Sequence, residues 1–76
     1  MSNAAAAQPN PTATREFDIA SNSLAWAEEL RDTLRGGNVL NPYMVDAFQR
    51  AVELVAEMSA NLGDVMARWS PEDVGL

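Results

Sequence analysis

Carboxylates are the most numerous reactive groups in this sequence. Glu53 and Glu57 stand four residues apart and Glu28 and Glu29 are adjacent, so helices would bring paired acids to their surfaces. Di-iron bundles use paired carboxylates, but they also draw on Glu-x-x-His, and the chain has no histidine. Several serines offer hydroxyls. A serine nucleophile needs a neighbouring base, and neither histidine nor lysine is present, all 5 basic residues being arginine. Without cysteine there is no thiolate chemistry, no disulfide and no Cys/His zinc site. Gly36-Gly37 neither follows a strand pattern nor precedes Gly-Lys-Ser/Thr, so it reads as a helix stop rather than a phosphate loop. The acids therefore read as a solvated face. The sequence predicts no catalytic residue, no cofactor, no metal and no enzyme activity.

What remains to be explained is apolar surface. The chain has 76 residues, 47% of them apolar, which allows one small domain. A domain this short buries only about 60% of its unfolded surface and usually leans on disulfides, metal or association. With the first two excluded, association is left. The net charge of −6 and the thin spread of Arg15, Arg31, Arg35, Arg50 and Arg68 among acids argue against nucleic acid and anionic membrane as partners. No small-molecule substrate is indicated, and no apolar run approaches the roughly 20 residues of a membrane span. Met1 to Ala7 lacks the basic and apolar regions of a secretory signal peptide.

The organisation expected is all-α: an antiparallel two-helix hairpin over 16–70 with a flexible N-terminal arm. Met1 to Thr14 is built of Ala, Pro, Asn, Thr and Gln, which bury too little to offset ordering, so 1–15 reads as a disordered arm. Phe17, Ala20, Leu24, Ala27, Leu30 and Leu34 recur in threes and fours and predict a helix over about 17–35, widened by Trp26. Ser21, Asn22 and Ser23 weaken its first turns, which predicts a kink there or a true start near Ser23. A turn over 36–41 follows. In it Gly36-Gly37 is expected to stop the helix in the left-handed conformation, and Asn41-Pro42 supplies an N-cap and a first-turn proline. So short a link favours an antiparallel pair.

The second helix, expected over about 42–69, carries two apolar seams. One is a coiled-coil heptad seam of Val45, Phe48, Val52, Val55, Ser59, Leu62, Met66 and Trp69. The other, one residue behind, is Met44, Ala47, Ala51, Leu54, Met58, Asn61 and Val65. Adjacent residues are about 100° apart, so the seams together cover more surface than one partner helix occludes. Asp46, Arg50, Glu53, Glu57, Asp64 and Arg68 form the opposite face, with i,i+4 pairs Asp46/Arg50 and Asp64/Arg68. Gly63 predicts fraying or a bend. Ser70 to Asp73 reads as a cap and a new turn, and the rest of the 71–76 tail holds too little surface to order itself. The expected interface residues are Trp26, Val45, Phe48, Val52, Val55, Met58, Leu62, Met66 and Trp69. For Trp26 and Trp69, packing within the chain and contact with a neighbour are both open. Met44, Met58 and Met66 serve either as seam filling or as an adaptable groove.

The stretch from Asn41-Pro42 through Phe48-Gln49 to Val52 resembles the Asn/Asp-Pro-x-x-Leu-x-x-Tyr-Gln-x-x-Leu segment of type III secretion needle subunits. Phe17-Asp18 also stands at a distance from the turn similar to that of a Phe-Asp in some members. The family's first turn proline, its Tyr-Arg-Asn-x-Gln-Ser run and its isoleucine-rich C-terminus have no counterparts here. The resemblance implies a mobile arm, two helices joined at an Asn-Pro turn, and helical polymerisation into a conduit for unfolded proteins. It further implies export without a cleaved signal peptide, assembly at the bacterial cell surface, and Gln49 as a candidate lining residue. The expected function is thus a structural, self-associating subunit, most concretely a needle-like filament protein. The alternative is a small acidic adaptor, chaperone or inhibitor, cytoplasmic, that offers its open seam to another helical protein. A helical segment of a longer chain is a third possibility that the sequence leaves open.

Overall fold

Each helix opens on the same two residues. Asn10 Oδ1 accepts hydrogen bonds from the Thr12 and Ala13 amides at 2.9 and 3.3 Å, and Asn41 Oδ1 accepts one from the Tyr43 amide at 2.9 Å. Pro11 and Pro42 follow at the first helical position, where a missing N–H costs nothing. The computed structural model describes residues 9–37 and 41–76. In it α1 (Pro11–Arg35) and α2 (Pro42–Arg68) pack against each other as an antiparallel, all-α hairpin.

Helix α1 starts well before the expected residue 17, which corrects the reading of 1–15 as an arm. Residues 1–8 of that arm lie outside the described residues, but Pro11 to Arg15 are helical. Their partner comes from the far end of the chain. The Asn10 amide donates to the Asp73 carbonyl at 2.9 Å, Thr14 Oγ1 lies 3.4 Å from the same oxygen, and Ala13 is fully buried. The helix runs unbroken through Ser21 to Ser23 and does not start at Ser23. The Ser21 hydroxyl donates back to the Phe17 carbonyl at 2.8 Å, so its competition for backbone partners is satisfied inside the helix.

The end of α1 also departs from expectation. Gly36 is right-handed, at φ −78° and ψ −4°, and only Gly75 among the described glycines has positive φ. The helix closes by tightening instead, with Gly36 N–H donating to Asp32 O at 3.2 Å and Gly37 N–H to Leu34 O at 3.1 Å. At Gly37 a Cβ would stand 3.1 Å from Met44 Cε, a tight contact that the flexible end of the methionine relieves by a small shift. Residues 38–40 of the expected turn lie outside the described residues. Helix α2 runs through Gly63 without a break and ends at Arg68, with Trp69 as its cap.

The tail is not unanchored, contrary to the sequence reading. The Ser70 amide and hydroxyl donate to Asp73 Oδ2 at 3.1 and 2.9 Å, and the Asp73 amide returns to the Ser70 carbonyl at 3.0 Å. This reciprocal cap sets a turn that buries Val74 and allows the contact with Asn10.

Ala13, Ala20 and Ala27, each seven residues from the next, are buried together with Ala51, Val65 and Val74. Small residues at the contact let helix backbones approach closely. The larger neighbours Phe17, Leu24, Leu30 and Leu34 flank that line and are only half-buried. Among the described residues no large side chain is fully enclosed.

Candidate interaction surface

The two seams of α2 meet different surroundings. The seam behind the heptad line faces α1: Ala51 and Val65 are buried, and Met44, Ala47, Leu54 and Met58 half-buried, with Asn61 exposed. Along the heptad seam, exposure alternates with the heptad itself. Phe48, Val55, Leu62 and Trp69 lean towards α1 and are half-buried, whereas Val45, Val52, Ser59 and Met66 are exposed. Val45, Val52 and Met66 keep 39%, 44% and 53% of their surface accessible.

Helical geometry leaves one exposed flank of α2 without charge. Stepping by about 100° per residue, Val45, Gln49, Val52, Ala56, Ser59, Gly63 and Met66 fall in one stripe, and none is ionisable. Asp46, Arg50, Glu53, Glu57, Asp64 and Arg68 are all exposed on the other side. Asp46 and Arg50 pair at 3.1 Å as expected. Arg68 does not pair with Asp64; it reaches across to Glu16 at 2.7 Å. Glu28 and Glu29 are exposed, and among the described residues no three acids gather in a way that would hold a metal ion.

At the Val45 end the stripe opens into an apolar hollow of about 190 Å³ lined by Leu34, Arg35, Met44, Val45 and Phe48. Arg35 is its only charged wall, the guanidinium carbon lying 6.0 Å from the centre of the Phe48 ring. The opposite flank of the hairpin carries a second apolar feature. Ile19 and Trp26, seven residues apart on α1, are each 59% exposed, and Ile19 borders a groove shared with Met58 and Asn61. Tyr43 stands out on α2, 86% exposed.

These positions separate the two tryptophans. Trp69 is half-buried and its indole N–H donates to Glu16 Oε1 at 3.0 Å, so it works inside the hairpin. Trp26 projects to solvent. Of the expected interface residues, Trp26, Val45, Val52 and Met66 are exposed, while Phe48, Val55, Met58 and Leu62 are half-buried between the helices and the surface. Gln49 is exposed within the uncharged stripe. Ile19 and Tyr43 lie outside the interface expected from sequence, although Ile19 precedes Trp26 by one heptad, a spacing that marks it from sequence alone. Among the described residues no helix is long and apolar enough to cross a membrane.

No protein-family model, curated protein or solved structure matches the chain.

Proposed function

We infer that the protein is a structural subunit that works by self-association. One observation carries this reading: among the described residues the buried interior is alanine and valine, and every larger apolar side chain keeps part of its surface in water. A hairpin so built lowers its free energy by about 25 cal/mol for each further Å² of apolar surface it covers. Two exposed apolar features on different flanks also suit a contact that repeats from copy to copy without closing. The resemblance of the Asn41–Val52 segment to needle subunits gives the reading its most concrete form, a filament protein of a type III secretion apparatus.

Light scattering coupled to chromatography, at rising concentration, tests the general reading. The apparent mass is expected to climb, and negative-stain imaging of concentrated protein should show fibres. A strictly monomeric, helical species at high micromolar concentration contradicts self-association. Discrete dimers or tetramers would leave self-association intact and remove the filament.

A further inference from the structure

The two flanks differ in a way that makes them fit each other. On α1 the exposed row is a ridge: Ile19 and Trp26 project from Ile19 to Ala27, a run with no ionisable residue, and Glu29 stands one turn beyond Trp26. On α2 the exposed row is a low one, here called the channel, its middle formed by the short side chains of Val52, Ala56 and Ser59 and by Gly63. At Gly63 a Cβ would meet nothing within 4 Å. Neither row carries a charge of its own; Glu29 stands beside Trp26 and Arg35 in the hollow next to Val45, while the Glu16 and Arg68 beside Ile19 neutralise each other as an ion pair.

Resting on the self-association reading, we propose that the Ile19–Trp26 ridge of one copy seats in the Val45–Gly63 channel of a second copy. Glu29 meets Arg35 at the channel's end. The charge pair fixes the register. With Glu29 beside Arg35, Trp26 enters the hollow of Leu34, Met44, Val45 and Phe48, and Ile19, about 10.5 Å further along α1, falls near Ala56 and Ser59. The incoming α1 then runs antiparallel to the α2 it covers, the same sense as the molecule's own α1. Copies are thereby related by a sideways step rather than a two-fold axis. Each leaves one ridge and one channel free, and growth continues. Pairing channel with channel would instead place the two Arg35 side chains without an acidic partner and leave both Trp26 residues in water.

Complementation between two half-dead variants tests this. Trp26→Asp blocks the ridge and Val52→Asp blocks the channel. Both positions are exposed, so the hairpin should keep its helical circular dichroism; if Val52→Asp loses it, Ala56→Glu, also exposed, replaces it. In sedimentation velocity each variant alone is expected to stay monomeric. An equimolar mixture should stop at two chains, because one good ridge meets one good channel. Glu29→Arg and Arg35→Glu should each weaken assembly at least ~10-fold, and the chain bearing both should recover it. A mixture that remains monomeric, or a Trp26→Asp variant that assembles like the parent, overturns the ridge-in-channel contact while leaving self-association standing. A parent chain that is itself monomeric at high micromolar concentration overturns both.

Discussion

Glu16 near the start of α1 holds Trp69 at the end of α2: the indole N–H donates to Glu16 Oε1 at 3.0 Å, across 53 residues of sequence. The same oxygen accepts from Arg68 Nη1 at 2.7 Å. One carboxylate thus fastens the end of α2 furthest from the Gly36–Asn41 link.

Removing that carboxylate should loosen the molecule by a measurable amount. Glu16 is 34% and Arg68 56% exposed, so solvent screens the ion pair, and Glu16→Ala is expected to cost about 1–2 kcal/mol. Glu16→Gln, which can still accept from Trp69, should cost less than half of that. Urea unfolding followed by tryptophan fluorescence gives both values, and equal losses would show that the indole contact contributes nothing.

The alanine line should tolerate no growth. Ala27 is 0% exposed where α1 meets α2, and a leucine there must push the helices apart or leave its rotamer. Ala27→Leu is expected to destabilise the fold by about 1–3 kcal/mol. Ala25→Leu, on the exposed side of the same helix, serves as the control and should leave the thermal midpoint nearly unchanged.

The first turn of α1 should depend on residues near the other end of the sequence. Val74→Asp puts a charge at a position only 8% exposed and releases the turn that receives the Asn10 amide. Amide exchange at Thr12 to Arg15 is expected to accelerate while the middle of α1 keeps its protection. Uniform acceleration along α1 would mean that the turn supports the whole hairpin rather than its end.

Gly63 offers the reverse test. It lies inside α2 with open space around it, so Gly63→Ala should stabilise the monomer by about 0.5–1 kcal/mol through helix propensity alone. Gly63→Trp should keep the helix but fill the channel, lowering assembly without lowering the thermal midpoint. Loss of helicity in either variant would point to a backbone role for the glycine.

The hairpin itself was legible because periodicity, caps and link agree. Asn41-Pro42 is both the sequence signal and the observed start of α2. Asn10-Pro11 is the same signal, but the residues around it hold nothing large enough to suggest a packed helix. Its partner, Asp73, lies at the opposite end of the sequence, where local pattern carries no information. Which seam of α2 packs inward was hidden for a related reason. Counting apolar bulk favours the Val45 to Trp69 row, yet the helices chose close approach along Ala20, Ala27 and Ala51, and bulk was turned outward. Gly36 shows a third limit, since a helix stop can be read from glycine without the conformation it adopts.

The bond between Asn10 and Asp73 has a practical outcome for anything joined to this molecule. Whatever precedes the first helix and whatever follows the closing turn must depart from a single pole, side by side. The other pole, at Gly36 and Asn41, lies at the far end of both helices, so a label attached beside Asn10 or Asp73 reports on one tip of the hairpin only.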